Sequence, residues 1–259
     1  MNPTAPISPR HWRNKVPEVG VLFWLIKMMS TTVGETGADL LNTELHFGLA
    51  GTSLVVGLCF AVALLGQLRA ARYLPWRYWT AVVFVSVFGT LLTDNLSDKL
   101  GVPLALSTSC FGAALALTFI LWHSKEKTLS IRAIDTPRRE LFYWLAILLT
   151  FALGTAAGDW IAEGLGLGYA RSALLFGGLI TATALARYVC KANAVACFWV
   201  AYVLTRPFGA SCGDLLSQPA GAGGFGLGTL GTSILFLVAI AGMVVYLSRA
   251  ASDASEQRA

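Results

Sequence analysis

At 259 residues and a formal net charge of +5, the chain is 56% hydrophobic and only 13% charged, with a mean hydropathy of +0.65. Soluble domains carry about 25% charged residues, so the composition excludes a soluble globular protein and points to a polytopic membrane protein. The basic residues lie in short stretches between apolar runs, which is a topology signal and not a nucleic-acid-binding patch.

In chain order, residues 1–17 form a polar, basic tail that lacks the cleavage signature of a signal peptide. Apolar segments follow at about 19–43, 48–66, 76–98, 102–122, 141–164, 168–189, 195–217 and 226–248. Each is near the ~20 residues that cross a hydrocarbon core as helix. The expected fold is therefore an all-α integral membrane protein, one membrane domain over 1–259 with eight transmembrane helices and a second tail at 249–259. Short links with glycine or proline join the segments in pairs, and longer basic links separate the pairs. The pairs make four tandem helical-hairpin repeats at about 19–66, 76–122, 141–189 and 195–248.

Laid over one another, the repeats keep register. In each, a tryptophan preceded by Phe or Tyr is followed ten positions later by glycine and five after that by aspartate. The sets are Trp24, Gly34, Asp39; Trp79, Gly89, Asp94; Trp144, Gly154, Asp159; and Trp199, Gly209, Asp214. Thr52, Ser107 and Ser172 stand thirteen residues beyond the aspartate; Thr229 stands at fifteen in the fourth repeat, after a longer Gly-rich turn. The aspartates are separated by 55, 65 and 55 positions, as expected for a hairpin duplicated twice. Four such units can close as a pseudo-fourfold ring or pack as two pseudo-twofold halves.

Lys and Arg set the orientation. Arg10, Arg13, Lys15, Arg69, Arg72, Arg77, Lys125, Lys127, Arg132, Arg138, Arg139, Arg187, Lys191, Arg249 and Arg258 fall on the side of the termini and long links, and only Lys99 and Arg171 on the other. The positive-inside rule then places both termini in the cytoplasm. The repeats share one orientation, unlike the inverted repeats common in transporters.

Each aspartate lies 15 residues beyond its tryptophan, or ~22 Å along a helix, which sets it in the outer half of the membrane. A carboxylate there costs ~2.5–3.5 kcal/mol unless protonated, paired or wetted. Polar residues at i±4 continue each face: Lys27, Thr31 and Glu35 before Asp39, Thr90 before Asp94, Thr155 before Asp159, and Arg206 before Asp214. These stripes are expected to face a shared interior. Five intramembrane acids (Glu35, Asp39, Asp94, Asp159 and Asp214) oppose two bases (Lys27 and Arg206), so cations or protons must supply the difference. Glu35 and Asp39 can share a proton or chelate together. Arg206 is expected to act as a counter-ion, and Lys27 either as a second one or as a side chain snorkelling to the cytoplasmic surface. Pro207 is expected to kink its helix and free a carbonyl.

Oxygen ligands with few histidines or thiols nearby suit hard ions such as Mg²⁺, Mn²⁺, Ca²⁺, Na⁺ or H⁺. The glycines either permit close helix contact or loosen helices so that carbonyls join the site. The aromatic pairs at the helix starts are expected to form an interfacial belt. Five cysteines without CxxC spacing read as small hydrophobes. GAGGFGLG (221–228) lacks the Lys-Ser/Thr of a phosphate loop.

The segments KMMSTTVGETGADLL (27–41), LTDNLSDKLGVPL (92–104), LFYWLAILLTFALGTAAGDW (141–160) and AYVLTRPFGASCGDLLSQP (201–219) resemble a family of bacterial integral-membrane proteins described only as membrane-anchored proteins. The resemblance covers about residues 15–248. It implies a bacterial inner-membrane location and brings no reaction, substrate or cofactor.

The expected function is transport of a hard cation, a divalent metal such as Mn²⁺ or Mg²⁺ or else H⁺ or Na⁺, coupled to protons. Glu35, Asp39, Asp94, Asp159 and Asp214 are its ligands, and Lys27, Thr31, Thr90, Thr155, Arg206, Thr52, Ser107, Ser172 and Thr229 support them. The alternative is a non-transporting scaffold or sensor with a structural polar core. No nucleophile–base pair argues for an enzyme. No cofactor is expected beyond a bound divalent cation. The partners are the bilayer and an inorganic cation or proton, with no nucleic acid and with homo-oligomerisation left open.

Overall fold

Prolines and polar caps set several helix starts. Pro75 and Pro137 occupy first turns, where the missing N–H costs nothing. The Thr136 hydroxyl accepts the Arg139 N–H at 3.3 Å, and the Asn193 side chain accepts those of Val195 and Ala196 at 2.9 and 3.1 Å. The computed structural model describes residues 14–256, with side chains to residue 250, so Arg10, Arg13 and Arg258 lie outside the described residues. Eight long helices follow in order: α1 (Val21–Asp39), α2 (Gly48–Leu68), α3 (Pro75–Asp94), α4 (Leu104–Glu126), α5 (Pro137–Asp159), α6 (Tyr169–Tyr188), α7 (Ala194–Ser217) and α8 (Gly228–Glu256).

Helices α1, α3, α5 and α7 form an inner ring in which each packs on the next and α7 packs back on α1. The even helices stand outside. Only 17% of the apolar window is buried in α2, α4 and α6, against 50%, 61% and 44% in α3, α5 and α7. Leu54, Leu58, Val62, Leu117, Ile120, Leu174 and Val238 are among the large apolar side chains left exposed on this outer layer, as expected of a surface that meets lipid.

Two expectations change here. Among the described residues seven helices, not eight, are long and apolar enough to cross a membrane; α1 is the one left out. It carries Lys27, Glu35 and Asp39 and is covered by α3, α7 and α8, so most of its surface has no lipid to satisfy. Nor are the repeats self-packed hairpins. The main partners of the outer helices are α3 for α2, α5 for α4, α7 for α6 and α1 for α8. Each repeat lends its second helix to the next, and the fourth to the first. This cyclic exchange makes the arrangement pseudo-fourfold.

The turns between odd and even helices repeat as well. A left-handed residue occurs seven positions beyond three of the aspartates, at His46 (φ 59°), Gly101 (φ 66°) and Gly166 (φ 67°). Glycine adopts this conformation without strain, and histidine is among the side chains that tolerate it. At the opposite end, part of the N-terminal tail is docked. Val16 is buried, Asn14 donates to the Ile131 carbonyl at 3.2 Å, and Lys15 reaches the Leu68 carbonyl at 2.9 Å and Glu140 at 2.8 Å.

Candidate functional site: a polar column on the ring axis

The four glycines determine how closely the inner helices approach. A Cβ at Gly34 would overlap Ser86, one at Gly89 would overlap Phe151, one at Gly154 would overlap Arg206, and one at Gly209 would overlap Thr31. In every case the obstructing residue stands three positions before the next repeat's glycine. The fourth glycine meets the first repeat, so the ring closes with one register. All four glycines lie inside uninterrupted helices. They serve close contact and do not break the helix, and α7 likewise runs on through Pro207.

The same symmetry stacks side chains in layers. At the basic end Phe23 meets Trp79 (ring centroids 5.6 Å), Tyr78 meets Trp144 (5.6 Å), Tyr143 meets Trp199 (6.2 Å) and Phe198 meets Trp24 (5.6 Å). Tyr78 and Tyr143 also share a hydrogen bond of 2.5 Å between hydroxyls. The expected interfacial belt is therefore corrected. Six of these eight rings are buried, with only Trp24 and Phe198 partly exposed, and together they plug the ring. A lipid-facing belt would need outward side chains, whereas these start the inner helices and face the next repeat.

One turn deeper lies a layer of Lys27, Val82, Ile147 and Tyr202, all fully buried. The Lys27 Nζ has no hydrogen-bond partner among the described residues. It sits 4.6 Å from the centre of the Phe151 ring and 4.5 Å from that of Tyr202, a cation–π cage. Lys27 thus does not snorkel to the surface: the aromatic plug lies between it and the basic end.

The next layers belong to Arg206, which is fully buried and touches the other three repeats. Its Nη2 donates to Glu35 Oε2 at 2.9 Å, to Thr155 Oγ1 at 2.7 Å and to Thr90 Oγ1; its Nη1 donates to the Thr31 carbonyl at 3.3 Å. Glu35, Thr90 and Thr155 each follow their repeat's glycine by one residue, and Ala210 completes that layer. Thr31 Oγ1 bonds the carbonyls of Met28 (2.5 Å) and Thr205 (3.3 Å), tying α1 to α7. Arg206 is thus the counter-ion expected of it, but its partner is Glu35 of the first repeat and not Asp214 of its own helix.

The last layer holds the four aspartates. Asp214 is buried (8% exposed), while Asp39, Asp94 and Asp159 are half-buried. Glu35 is the shared like-charge neighbour of all four. None of the four carboxylates makes a hydrogen bond among the described residues. No three His, Cys, Asp or Glu side chains among them converge into a metal-holding group. The five acids line one end of a column and do not form a chelate.

Asp39, Asp94 and Asp159 each end an α-helix at a π-helical turn: Leu40–Glu44, Asn95–Lys99 and Trp160–Gly164. The diagnostic i to i−5 bonds recur at Leu45 to Leu40 (2.9 Å), Leu100 to Asn95 (3.2 Å) and Leu165 to Trp160 (2.8 Å). Such turns are rare and concentrate at functional sites. They re-aim the backbone just past each acid, and the fourth repeat alone continues as α-helix through Asp214. Local composition gives no sign of them, since the residues seven past the aspartates are His46, Gly101, Gly166 and, where no such turn forms, Gly221.

Thr52, Ser107 and Ser172 are buried, and their hydroxyls lack partners among the described residues. Their counterpart in the fourth repeat is not Thr229, which is partly exposed and bonds Glu44 at 2.5 Å. It is the buried Thr232, four residues beyond Gly228 as Thr52 is beyond Gly48, and its hydroxyl bonds the Gly228 carbonyl at 2.8 Å. The fourth turn is longer than a spacing rule assumes.

A family model described as a repeat of unknown function (DUF347) matches four successive stretches, residues 22–73, 77–128, 142–193 and 197–253. The fourth is longer by five residues, which is where Thr232 falls into register with Thr52. No curated protein and no solved structure matches the chain.

Proposed function

The chain belongs to the family of this repeat, and from that premise we propose that it is a membrane transporter of a hard cation, coupled to protons, whose path enters through the aspartate layer. One observation carries the reading. Four equivalent carboxylates are gathered at one end of the column without a hydrogen-bond donor among the described residues, and the guanidinium of Arg206 in the same column is already committed to Glu35. Protein groups do not balance that charge, and ions or protons from solution would.

The absence of a chelating cluster among the described residues favours protons or a hydrated cation over a divalent metal bound only by protein oxygens. The acid layer holds the half-buried Asp39, Asp94 and Asp159, whereas the fully buried lysine layer and the aromatic plug fill the other end of the column, an asymmetry that suits one state of an alternating-access cycle. In this reading the basic end faces the cytoplasm of a bacterial inner membrane. Arg206 holds the closed state by neutralising Glu35 until a cation or proton replaces it.

A scaffold remains the second reading, supported by the way Arg206 bonds all three other repeats. Cation and proton flux in proteoliposomes containing the intact chain separates the two, since a scaffold moves neither.

A further inference from the structure

The outer surface carries one groove unlike the rest. It lies between α2 and α3, has a volume of about 770 Å³, within the ~300–1,000 Å³ of small-molecule sites, and runs from the basic end toward mid-helix. Leu58, Val62 and Phe84 line its deeper part, with Leu58 and Val62 60% and 70% exposed. At Gly66 a Cβ would meet nothing within 4 Å, so the upper groove is unfilled.

Its basic end is built for an anion. Arg77 is held by a 3.2 Å hydrogen bond to the Gly66 carbonyl and lies 5.0 Å from the Trp76 ring centre. Arg69, from the other wall, is exposed and has no ion-pair partner among the described residues. The link between the two helices, residues 69–74, holds no acid. The three equivalent grooves differ. Repeat alignment puts Ser124 and Phe142, then Val189 and Cys197, then Arg249 and Leu22, in the places of Arg69 and Arg77. Between α4 and α5 the nearby Arg138 and Arg139 are neutralised by Glu126 and Asp135. Among the described residues, paired, unneutralised arginines over an apolar furrow occur at this groove alone of the four.

We propose that this groove seats one anionic phospholipid, its phosphate held by Arg69 and Arg77 and an acyl chain lying along Leu58, Val62 and Phe84. The furrow faces hydrocarbon and fits a chain attached to the anion, which free phosphate lacks. Two arginines at a membrane surface favour an anionic headgroup over a zwitterionic one, and a guanidinium fork matches phosphate geometry. The inference rests on membrane insertion and is independent of whether the chain transports anything.

The test is native mass spectrometry of the full-length chain in detergent, with equimolar phosphatidylglycerol and phosphatidylcholine added. The wild type should retain one phosphatidylglycerol with roughly 10- to 30-fold preference. Arg69→Gln with Arg77→Gln should lose the preference, and Val62→Trp, which fills the furrow while sparing both arginines, should lose retention. Arg187→Gln should behave as wild type, and the melting temperatures of all variants should match. Equal retention of both lipids, an unchanged preference in the double variant, or displacement of the lipid by inorganic phosphate would each overturn the proposal.

Discussion

Arg206 of α7 and Glu35 of α1 meet at 2.9 Å on the ring axis, where the fourth repeat closes on the first. Both depart from the repeat pattern. Arg206 occupies the place of Thr31, Ser86 and Phe151, and Glu35 that of Thr90, Thr155 and Ala210. Two divergences, neither tolerable alone in a buried column, neutralise each other across the seam. Truncating one partner of a buried pair costs about 3–5 kcal/mol, because the other charge is left uncompensated.

Arg206→Ala and Glu35→Gln should each lower the melting temperature in detergent, and the double variant should lose less than the sum, with a coupling of about 0.5–3 kcal/mol. The pair Arg206→Ala and Asp214→Asn should be closer to additive. Additivity in the first cycle would show that the ion pair does not hold the seam.

The glycine register predicts unequal effects of one substitution. In Gly89→Ala the new methyl carbon would lie 2.6 Å from the Phe151 Cβ, and overpacking of this kind costs about 1–3 kcal/mol. Gly178→Ala, in a helix interior with nothing within 4 Å, should be neutral or stabilising by up to about 1 kcal/mol. Thermal unfolding of the two variants side by side checks this; equal losses would contradict the close-contact role.

Ring closure predicts a covalent link. The Thr36 and Ser233 hydroxyls are 2.7 Å apart, joining α1 to α8. With the five native cysteines replaced, Thr36→Cys with Ser233→Cys should cross-link on oxidation, seen as a mobility shift that reductant reverses. A pair that stays reduced would place α8 elsewhere.

The repeat, its register and the acids' common level were legible in the sequence because they rest on spacing alone. What escaped depends on neighbours distant in the chain. The exchange of outer helices leaves no mark in a hairpin's own composition, since α2 is equally apolar whether it packs on α1 or α3. The aromatics looked interfacial because Trp and Tyr at the end of an apolar segment fit a belt as well as a plug. Glu35 could not be recognised as the partner of Arg206, because 171 residues separate them. Thr229 stands near the spacing of Thr52 but out of its register, because the fourth repeat is five residues longer.

In the proposed transporter the aspartate carboxylates carry charge and do not serve as hydrogen-bond acceptors in a lock. Asparagine keeps the shape and an acceptor but discards the charge. The decisive measurement is cation and proton flux into proteoliposomes bearing wild type, Asp39→Asn or Asp159→Asn, with folding checked by melting temperature. A charge-carrying role requires flux in the wild type and its loss in both variants, each folded as the wild type is. Flux undiminished in the variants, or none in the wild type under any gradient of H⁺, Na⁺, Mg²⁺, Ca²⁺ or Mn²⁺, would contradict it.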